Sequence, residues 1–376
     1  MLPTKLCTGC KACGEICGAH CIAYKLNQEG FWYPSIDESR CMKCSRCEQV
    51  CPVLHAHSAE VSEELPRAMA VWSRSTEKRA KSSSGGVFGE LAEAIINKRG
   101  IVCGAVMDDT LRVRHVCAET LSDLEALRGS KYVQSDVEDC YRTVQANLKA
   151  GRLALFSGTP CQVEGLKSFL GYDYENLFTV DIICHGVPSP LTWERYLEER
   201  RKAQSANVVK AGFRDKTNGW TNFSLSLQFD DGAVYRKTLK EDAFMNAFLA
   251  NLCLRESCYQ CRFKSIRRKS DLTVGDFWGI DRIAPEINDD GGVSLVILQS
   301  EKGRHLFREI EEKVNCRDVD CQTAVDLNGA ATHSVYRHPF REYFFHKLPR
   351  TDFDKLVQDC LFPSYLVRLE RKLITR

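Results

Sequence analysis

The sequence predicts two parts, a small cysteine-rich N-terminal domain and a larger mixed α/β body, so that the fold class combines α+β and α/β features. Nine of the 20 cysteines lie in the first 51 residues, most of them separated by only two or three residues. From about residue 67 onwards, short apolar runs typical of buried strands alternate with segments of helical period. This alternation predicts an α/β domain with a largely parallel sheet. A chain of 376 residues is long enough for each part to have its own core.

Eight of these cysteines form two runs, Cys7, Cys10, Cys13, Cys17 and Cys41, Cys44, Cys47, Cys51. Each run has the spacing C-x2-C-x2-C-x3-C, and Pro52 follows the second run. This spacing is typical of bacterial-ferredoxin-like domains with two [4Fe–4S] clusters, in which three thiolates of one run hold one cluster and the fourth reaches the other. We therefore expect a 2[4Fe–4S] domain over residues 1–58. Its expected ligand sets are Cys7, Cys10, Cys13, Cys51 and Cys41, Cys44, Cys47, Cys17.

A pair of zinc sites is the alternative for the same eight cysteines, because zinc accepts four thiolates in one site. Zinc sites seldom repeat this spacing with a proline after it, so the sequence favours the clusters. Two short strands, near residues 22–24 and 31–34, are expected to shield the clusters, and Cys21 is interpreted as a buried spare cysteine. The polar stretch at residues 56–66 predicts a linker to the body.

The balance of charges excludes some classes of partner. The formal net charge is only +2, which predicts neither nucleic acid nor an anionic membrane surface as the main partner. No apolar run approaches the roughly 20 residues that span a bilayer. The first residues lack the apolar core of a signal peptide, which predicts a cytoplasmic protein. Cytosolic thiols stay reduced, so dense cysteine clusters there are expected to bind metal.

Two loops of the body have residues that suit a nucleotide cofactor. The serine- and glycine-rich loop at residues 81–86 leads into a predicted helix whose apolar residues run from Val87 to Ile96. Backbone N–H groups at such a helix start suit a phosphate or pyrophosphate, although a simple helix cap explains the same residues. The second loop, residues 127–133, brings a cation, a hydroxyl and an aromatic ring together. A surface turn could use those groups too, so the residues alone leave both interpretations open.

Two cysteines of the body directly follow predicted strands. The strand near residues 153–156 leads to Cys161, and the strand near residues 177–183 leads to Cys184. Ligands of open α/β sheets bind at the carboxyl ends of the strands, so both side chains are expected at a binding edge. Buried cysteines often serve as small apolar residues, which is the alternative interpretation of this pair.

A close pair, Cys258 and Cys261, follows a predicted helix near residues 242–252. Together with the two strand-end cysteines it could supply four thiolates to a third cluster. Cys253 is a rival for one of the ligand positions, and zinc is a rival metal. The spacing alone leaves these alternatives open.

Further downstream, a strand near residues 271–274 runs into Gly-Asp-Phe-Trp-Gly at 275–279, whose acid and aromatic side chains predict a ligand pocket. Three antiparallel strands are expected near residues 212–215, 223–229 and 233–239, the last two joined by a tight turn. The C-terminal segment alternates helix and loop. Six isolated cysteines are interpreted as structural: Cys103, Cys117, Cys140, Cys316, Cys321 and Cys360.

Six short motifs stand out when they are taken together. They are Ser-Ser-Gly-Gly at 83–86, Gly-Ser-Lys-Tyr at 129–132, Thr-Pro-Cys-Gln at 159–162, Cys-His-Gly at 184–186, Cys-x2-Cys at 258–261 and Gly-Asp-Phe-Trp-Gly at 275–279. With these motifs the chain resembles the beta-subunit family of coenzyme F420 hydrogenases and dehydrogenases, in a bacterial branch similar to 7-hydroxymethyl chlorophyll a reductases. The resemblance covers nearly all of residues 1–345 and implies a mixed α/β body that binds FAD and a [4Fe–4S] cluster.

The resemblance also implies site residues. It assigns the third cluster to Cys161, Cys184, Cys258 and Cys261. It places FAD against two loops, Ser83, Ser84, Gly85, Gly86, Val87 and Gly129, Ser130, Lys131, Tyr132. Separately from the resemblance, the residues near the expected pocket suggest Asp276, His185 and Lys131 as catalytic candidates. We expect the body to consist of two parts, residues 66–145 with flavin-binding residues and residues 146–345 with the third cluster site. Residues 346–376 are expected to form a C-terminal helical tail.

The expected function is an iron–sulfur flavoprotein oxidoreductase. Clusters carry single electrons, whereas a flavin exchanges two electrons with an organic substrate, so the three clusters and FAD form one electron-transfer chain. A ferredoxin or a partner redox subunit would exchange electrons with the N-terminal clusters, and a small organic molecule or an F420-type deazaflavin coenzyme would be the substrate. The alternative is a non-catalytic electron-transfer subunit of a larger redox complex.

Overall fold

The computed structural model describes residues 5–55 and 64–374, so most of the predicted linker, residues 56–63, lies outside the described residues. The N-terminal domain contains two one-turn helices and a two-stranded antiparallel sheet. Its elements in chain order are α1 (Ala12–Glu15), β1 (Ile22–Leu26), β2 (Trp32–Ile36) and α2 (Arg46–Gln49). The strands pair from Ile22↔Ile36 to Leu26↔Trp32, which confirms the two short strands expected between the cysteine runs.

Each one-turn helix of this domain starts at the same place within its cysteine run. The residue before α1 is Lys11 (φ 62°), and the residue before α2 is Ser45 (φ 59°). Both have left-handed backbone, which an L-residue adopts only when its surroundings impose it. Equal cysteine spacing therefore produces equal local geometry in both runs.

The body contains an eight-stranded sheet and a three-stranded sheet. Its strands are β3 (Arg67–Ser73), β4 (Ile101–Met107), β5 (Val113–Ala118), β6 (Ala154–Gly158), β7 (Leu177–Ile182), β8 (Val208–Asp215), β9 (Ser224–Phe229), β10 (Val234–Thr238), β11 (Leu272–Asp276), β12 (Ser294–Leu298) and β13 (Val314–Val319). The order in the large sheet is β13-β3-β12-β11-β7-β6-β4-β5, and the order in the small sheet is β10-β9-β8.

The large sheet is mixed, so the expectation of a largely parallel sheet was wrong. Its centre is parallel, since β7 pairs in parallel with both β11 and β6, and β6 pairs in parallel with β4. The other pairs are antiparallel, with β12, β3 and β13 on one side and β5 on the other. The sequence patterns did not reveal β5, β12 and β13, which add antiparallel strands on both sides of the parallel centre. Because β4 precedes residue 145 and β6 follows it, one sheet runs through both predicted parts of the body.

Helices cover both faces of the large sheet. The helices of the body are α3 (Thr76–Ala80), α4 (Val87–Asn97), α5 (Leu124–Leu127), α6 (Cys140–Lys149), α7 (Pro160–Leu170), α8 (Pro190–Gln204), α9 (Ala243–Leu249), α10 (Ile280–Ile283), α11 (Glu301–Arg308), α12 (Cys321–Leu327), α13 (Arg341–Lys347), α14 (Phe353–Leu361) and α15 (Tyr365–Ile374). On β4, Val102 packs with α4, whereas its neighbour Ile101 packs with α6 and α7 on the opposite face. In the described part of the chain, no helix is long and apolar enough to cross a membrane.

The small sheet confirms the predicted antiparallel strands and their tight turn. β9 pairs with both β8 and β10, and the turn between β9 and β10 contains Gly232 with a φ of 85°. A side chain is unfavourable at that φ, which explains the glycine. β8 and β9 contribute to the same apolar core as α8, α9 and the C-terminal helices α13 and α14.

The N-terminal domain docks on the body through one buried ring and two buried arginines. Phe31 is fully buried in the apolar core of the body. Arg341, only 1% exposed, donates two hydrogen bonds to the carboxylate of Glu29, at 2.6 and 2.7 Å. Arg255, with no exposed surface, donates to the backbone oxygens of Cys7 and Trp32, at 2.6 and 2.9 Å. The two parts of the chain are thus packed together as closely as elements of one domain.

Three of the cysteines interpreted as isolated lie together, which corrects that interpretation. Cys103 on β4 and Cys117 on β5 are directly opposite each other and form a disulfide. The Sγ of Cys140, at the start of α6, lies 3.8 Å from the Sγ of Cys117. The sequence concealed this group because its members are brought together by strand register and helix packing.

Candidate functional site

Three central strands of the large sheet end at the same edge. β6 ends at Gly158, which pairs with Asp181 of β7, and Ile182 of β7 pairs with Val274 of β11. The loops after these parallel strands therefore emerge side by side. They carry Cys161 and Cys184, as the rule for binding edges of α/β sheets predicts.

The four cysteines expected for the third cluster line one cavity. Cys161, Cys184, Cys258 and Cys261 all line the same cavity, together with side chains such as Thr8, His185, Phe263 and Lys264. Cys161 lies in the first turn of α7, which begins with Pro160 and is closed by a reciprocal cap between Thr159 and Gln162. The rival Cys253 does not line this cavity and is fully buried in an apolar core.

The chemistry of this cavity fits a thiolate-bound metal group. Burial raises the pKa of Cys161 to about 12 and that of Cys258 to about 11, and it raises the pKa of Cys184 as well. Buried thiols of this kind are inert unless a metal stabilises their thiolate form. Four soft sulfur ligands in one cavity suit an iron–sulfur cluster or zinc. The hydroxyl of Thr8 lies on the same wall beside Cys161, so the cavity also offers a polar group to an occupant.

A second cavity unites Cys7, Cys10, Cys13 and Cys51, the crossed ligand set expected from the first run. Tyr24 closes its outer side. The Tyr24 hydroxyl lies 3.3 Å from the Sγ of Cys13, accepts a hydrogen bond from the backbone N–H of Gly14 and donates one to the backbone oxygen of Lys11. These contacts tie β1 to the turn that presents the first cysteines.

The other set, Cys17, Cys41, Cys44 and Cys47, lies on the solvent side of the domain. Cys44 is exposed, and residues 42–46 around it are exposed as well. Cys21, interpreted as a spare cysteine, is buried with its Sγ 3.4 Å from the Sγ of Cys17. It therefore lies directly beside this set.

The two cavities share a wall. Thr8 lines both of them. On the side of the body, Cys51 belongs to a small apolar cluster with Phe263, against which Cys161 and Cys261 pack. The first-run cavity and the cavity in the body are therefore neighbours, with only a thin layer of side chains between them.

Helix α7 carries one cysteine of the cavity in the body and contacts one cysteine of the first run. It carries Cys161 in its first turn, and one turn later it presents Gly165 to the N-terminal domain. A Cβ on Gly165 would lie 3.0 Å from the Cβ and 3.1 Å from the Sγ of Cys10, and 2.9 Å from the Tyr141 hydroxyl. Glycine at this position thus allows the cysteine run to approach the helix closely.

The two loops expected to bind flavin lie against each other. The Ser83 hydroxyl accepts hydrogen bonds from the backbone N–H and the hydroxyl of Ser130, at 2.7 and 2.9 Å. Gly85 has no room for a side chain, because a Cβ would lie 2.3 Å from the backbone oxygen of Val71. Gly86 precedes α4 with a φ of 90°, and Val87 is its first residue. Ser84 donates to the backbone oxygen of Val293, which ties the first loop to β12.

The three catalytic candidates have defined partners. Asp276 accepts hydrogen bonds from Arg214 and from Trp220 Nε1, the latter at 2.8 Å, so both of its oxygens are engaged. Lys131 donates to two backbone oxygens of the preceding turn, and burial lowers its pKa to about 7. Burial also lowers the pKa of His185, whose Nε2 lies 2.7 Å from the Oδ1 of Asn251.

Aromatic contacts connect the cavity in the body with the second loop. The ring of His185, which lines the cavity, meets the ring of Phe248 edge to face with 5.1 Å between centroids. Phe248 stacks on Tyr132 of the second loop at 4.8 Å. The Tyr132 hydroxyl accepts a hydrogen bond from Arg214, the partner of Asp276. A continuous chain of contacts therefore runs from the cavity through Tyr132 to Asp276.

Sequence reasoning missed the residues that connect these parts. Arg214, Phe248, Thr8 and Gly165 have no motif of their own, and each matters through a contact with a distant segment. Only Arg214 had a signal, the polar run Phe-Arg-Asp-Lys-Thr-Asn-Gly-Trp at 213–220 that follows a strand pattern. Burial lowers the Arg214 pKa, but Tyr132 and Asp276 outweigh it and raise the pKa overall, so the guanidinium is a fixed buried cation.

Two family models match separate segments of the chain. Residues 151–320 match the family model described as the C terminus of the coenzyme F420 hydrogenase/dehydrogenase beta subunit. Residues 6–54 match the 4Fe-4S dicluster domain model. Among solved structures, a chain of the F420-reducing [NiFe] hydrogenase complex from Methanosarcina barkeri, studied by xenon derivatization, is 16% identical, with 73% of this chain and 93% of that chain covered and a TM-score of 0.47.

No curated protein matches the chain. The two family models cover the cysteine runs at one end and the strand-end cysteines and Asp276 at the other. The chain therefore resembles a 4Fe–4S dicluster domain over residues 6–54 and the C terminus of the coenzyme F420 hydrogenase/dehydrogenase beta subunit over residues 151–320.

Proposed function

We propose that this chain is an iron–sulfur flavoprotein oxidoreductase with three [4Fe–4S] clusters and FAD. It would pass electrons between a redox partner and an organic substrate or an F420-type deazaflavin coenzyme. The observation that carries the proposal is the adjacency of the sites: the two cavities share Thr8, and the cavity in the body contacts the proposed flavin loops through His185 and Phe248. Electron transfer needs such short steps between cofactors, whereas separate structural metal sites do not.

Exposure and shared walls give the proposed chain of sites an order in space. The set with exposed Cys44 is the outer site, the set with Cys10 and Cys51 is the middle site, and the cavity with Cys161, which shares Thr8 with the middle site, is the inner site. A ferredoxin or a partner redox subunit would dock over the outer site, where Met42 is 69% exposed and Lys43 is exposed.

At the inner end, the two loops would hold FAD. The flavin would supply the exchange between hydride-type and single-electron chemistry. The start of α4 and the hydroxyl of Ser83 offer donors for its phosphate groups. Arg214, fixed by Asp276, would place a positive charge beside Tyr132 at the proposed flavin site. Lys131, with a pKa of about 7, can hold or release a proton at its Nζ at neutral pH.

The proposal is tested by the cofactor content of the full chain purified without oxygen. We expect about 12 Fe and one FAD per chain, because each cluster contains four irons. About 8 Fe and no flavin would contradict the proposal and leave only the dicluster domain.

The inner site has a sharper test with a matched control. Cys258→Ser is expected to lose about four irons, because it removes one ligand of the inner site. Cys253→Ser changes a cysteine only five residues away that faces an apolar core, so its iron content should equal that of the unchanged chain. Equal iron content in the two variants would show that Cys258 is not a cluster ligand and has only a structural role.

A second candidate function is a non-catalytic electron-transfer subunit. The description of the matched family as a beta subunit favours it, because a protein that works within a complex can leave the substrate chemistry to its partners. Reduction by dithionite followed by reoxidation with candidate acceptors separates the two functions. Turnover of an organic acceptor by the isolated chain supports the oxidoreductase. Full cofactor content without any turnover supports the subunit.

A further inference from the structure

Three cysteines that belong to neither the dicluster motif nor the inner cavity lie together at the antiparallel edge of the large sheet. Cys103 and Cys117 are joined by a disulfide between β4 and β5, and the Sγ of Cys140 lies 3.8 Å from the Sγ of Cys117. Cys103 has no exposed surface and Cys140 is 5% exposed, whereas Cys117 is half-buried. Within the described residues, this group is open to solvent and small molecules on the side of Cys117.

We propose that Cys103 and Cys117 form a two-electron thiol/disulfide centre that receives electrons from the dicluster domain, with Cys140 as its supporting thiol. The proposal goes beyond the oxidoreductase function described above. It rests on the middle site of Cys7, Cys10, Cys13 and Cys51 and requires neither FAD nor a third cluster.

The chemistry of the rest of the chain argues against an inert structural disulfide. Eight thiols of the N-terminal domain must stay reduced to bind clusters, and an environment that keeps them reduced also reduces ordinary disulfides. A disulfide formed by Cys103 and Cys117 beside such ligands is therefore expected to cycle between the oxidised and the reduced state.

The cysteine group lies next to the middle site. Tyr141, the residue after Cys140, is fully buried and packs in the same apolar core as Cys10 and Cys103. The Tyr141 hydroxyl lies 2.9 Å, and the Cβ of Cys10 lies 3.0 Å, from the point where Gly165 would carry a Cβ. The side chain of Tyr141 thus bridges the space between the start of α6 and a ligand of the middle site.

The proposed reduction is balanced. The Sγ–Sγ bond breaks, two S–H bonds form, and two electrons and two protons are consumed. The two clusters that the dicluster cysteines would hold would each supply one electron, which together match the requirement of the disulfide. The protons come from water on the Cys117 side. Because a disulfide sulfur carries no hydrogen, the short contact between Cys140 and Cys117 has Cys140 as its S–H donor, which stabilises the Cys117 sulfur as a leaving thiolate.

A redox titration of the anaerobic holoprotein tests the proposal. Reduced methyl viologen is added in steps, cluster bleaching is followed by visible absorbance, and samples are quenched in acid and labelled with N-ethylmaleimide before peptide mass spectrometry. We expect Cys140 to be labelled throughout, and Cys103 and Cys117 to be labelled only after reduction. The protein should also take up two electrons beyond those that reduce the clusters and any bound FAD.

Variants separate the proposed route from direct reduction by viologen. Cys10→Ser removes a ligand of the middle site, and we expect viologen-dependent labelling of Cys103 and Cys117 to be lost while a phosphine still releases both thiols. Cys140→Ala should slow the labelling and keep the disulfide. Cys316→Ser, which changes an exposed cysteine on β13, is the matched control and should behave like the unchanged chain.

Three results would overturn the proposal. The first is labelling of Cys103 and Cys117 in the oxidised holoprotein, which would mean that no disulfide forms. The second is one zinc per chain that Cys140→Ala removes, which would make the three thiols a metal site. The third is equal viologen-dependent labelling with and without Cys10. The unchanged chain alone decides the first result, so the test does not depend on folding of the Cys10 variant.

Discussion

The two halves of the N-terminal domain have the same cysteine spacing and very different surroundings. Both runs contain a one-turn helix that starts after a left-handed residue, Lys11 in one and Ser45 in the other. The middle site lies against α7 and contains the buried Cys10 and Cys51, whereas the outer site exposes Cys44. Local sequence sets the shape of each site, and the body decides which one solvent and partners can reach.

This difference separates two tasks within one motif. The middle site is enclosed and held by long-range contacts, which suits electron transfer to a fixed neighbour. The outer site is open, which suits exchange with a separate protein. Substitutions near the middle site should therefore lower the free energy of unfolding, whereas substitutions near the outer site should change the rate of electron exchange with a partner.

The largest expected effect concerns the buried arginine beneath the middle site. Arg255→Met leaves the backbone oxygens of Cys7 and Trp32 and the Gln134 side chain without their donor. At 1–3 kcal/mol for each buried unsatisfied group, we expect a loss of about 4 kcal/mol in the free energy of unfolding, measured by denaturant titration of the holoprotein.

The exposed half supplies the control for this change. Arg40→Met removes one hydrogen bond, to the backbone oxygen of Ala19, at a solvent-exposed site. We expect a loss of less than about 1 kcal/mol, since water replaces the lost donor. Equal losses at Arg255 and Arg40 would refute the proposed asymmetry between the halves.

The next effect concerns the close approach of α7 to the middle site. Gly165→Val places methyl groups where the side chains of Cys10 and Tyr141 already lie, so we expect a loss of about 2–3 kcal/mol from overpacking and a reduced iron content. Gly18→Ala, in the same domain, has open space around its Cβ and should leave both quantities unchanged. An unaffected iron content in Gly165→Val would show that the helix does not support the middle site.

A buried histidine on β5 of the body, His115, predicts that the stability of the protein depends on pH. Burial lowers the pKa of His115 to about 4 from 6.5, and the neutral ring lies between the Ser135 hydroxyl and the backbone oxygen of Ser157. The folded protein then binds fewer protons than the unfolded chain between those two values, so stability is complete above pH 6.5 and falls as the pH approaches 4. Between pH 6.5 and about 5 we expect a loss of about 2 kcal/mol.

Thermal unfolding across this pH range measures that loss, and His115→Asn serves as the comparison. The variant is expected to be less stable at neutral pH, because it loses the ring contacts, but its stability should change less on acidification. If acid weakens the variant as much as the unchanged chain, other groups are responsible for the pH dependence.

The smallest expected effect lies on the outer side. Lys43→Glu reverses an exposed charge beside Cys44, so it should change the rate of reduction by an external ferredoxin only a few-fold, in a salt-dependent way. Stopped-flow reduction at low and high ionic strength measures this change. The same reversal at Lys98, an exposed residue at the end of α4, is the control and should leave the rate unaltered. A rate that responds equally to both changes would place partner docking elsewhere.

Features encoded by local spacing could be predicted from the sequence, and features created by long-range packing could not. The cysteine runs, the helix at Val87 and the strand–cysteine order of the body follow from short patterns. The choice between Cys253 and Cys258 required the fold, because both residues follow the same helix and only packing turns one towards the cavity. The disulfide was hidden because Cys103 and Cys117 meet only through the register of β4 and β5.

The glycine on α7 has a consequence for how this chain can be rearranged. From its sequence, the N-terminal segment resembles an independent domain that could be deleted or replaced by another ferredoxin domain. Cys10 of the first run packs closely against Gly165 of α7, and Phe31 is buried in the core of the body. A replacement domain would therefore have to provide matching side chains at both contacts. The N-terminal domain therefore forms part of the packing of the body, and a substitution at this contact in one part requires a matching substitution in the other.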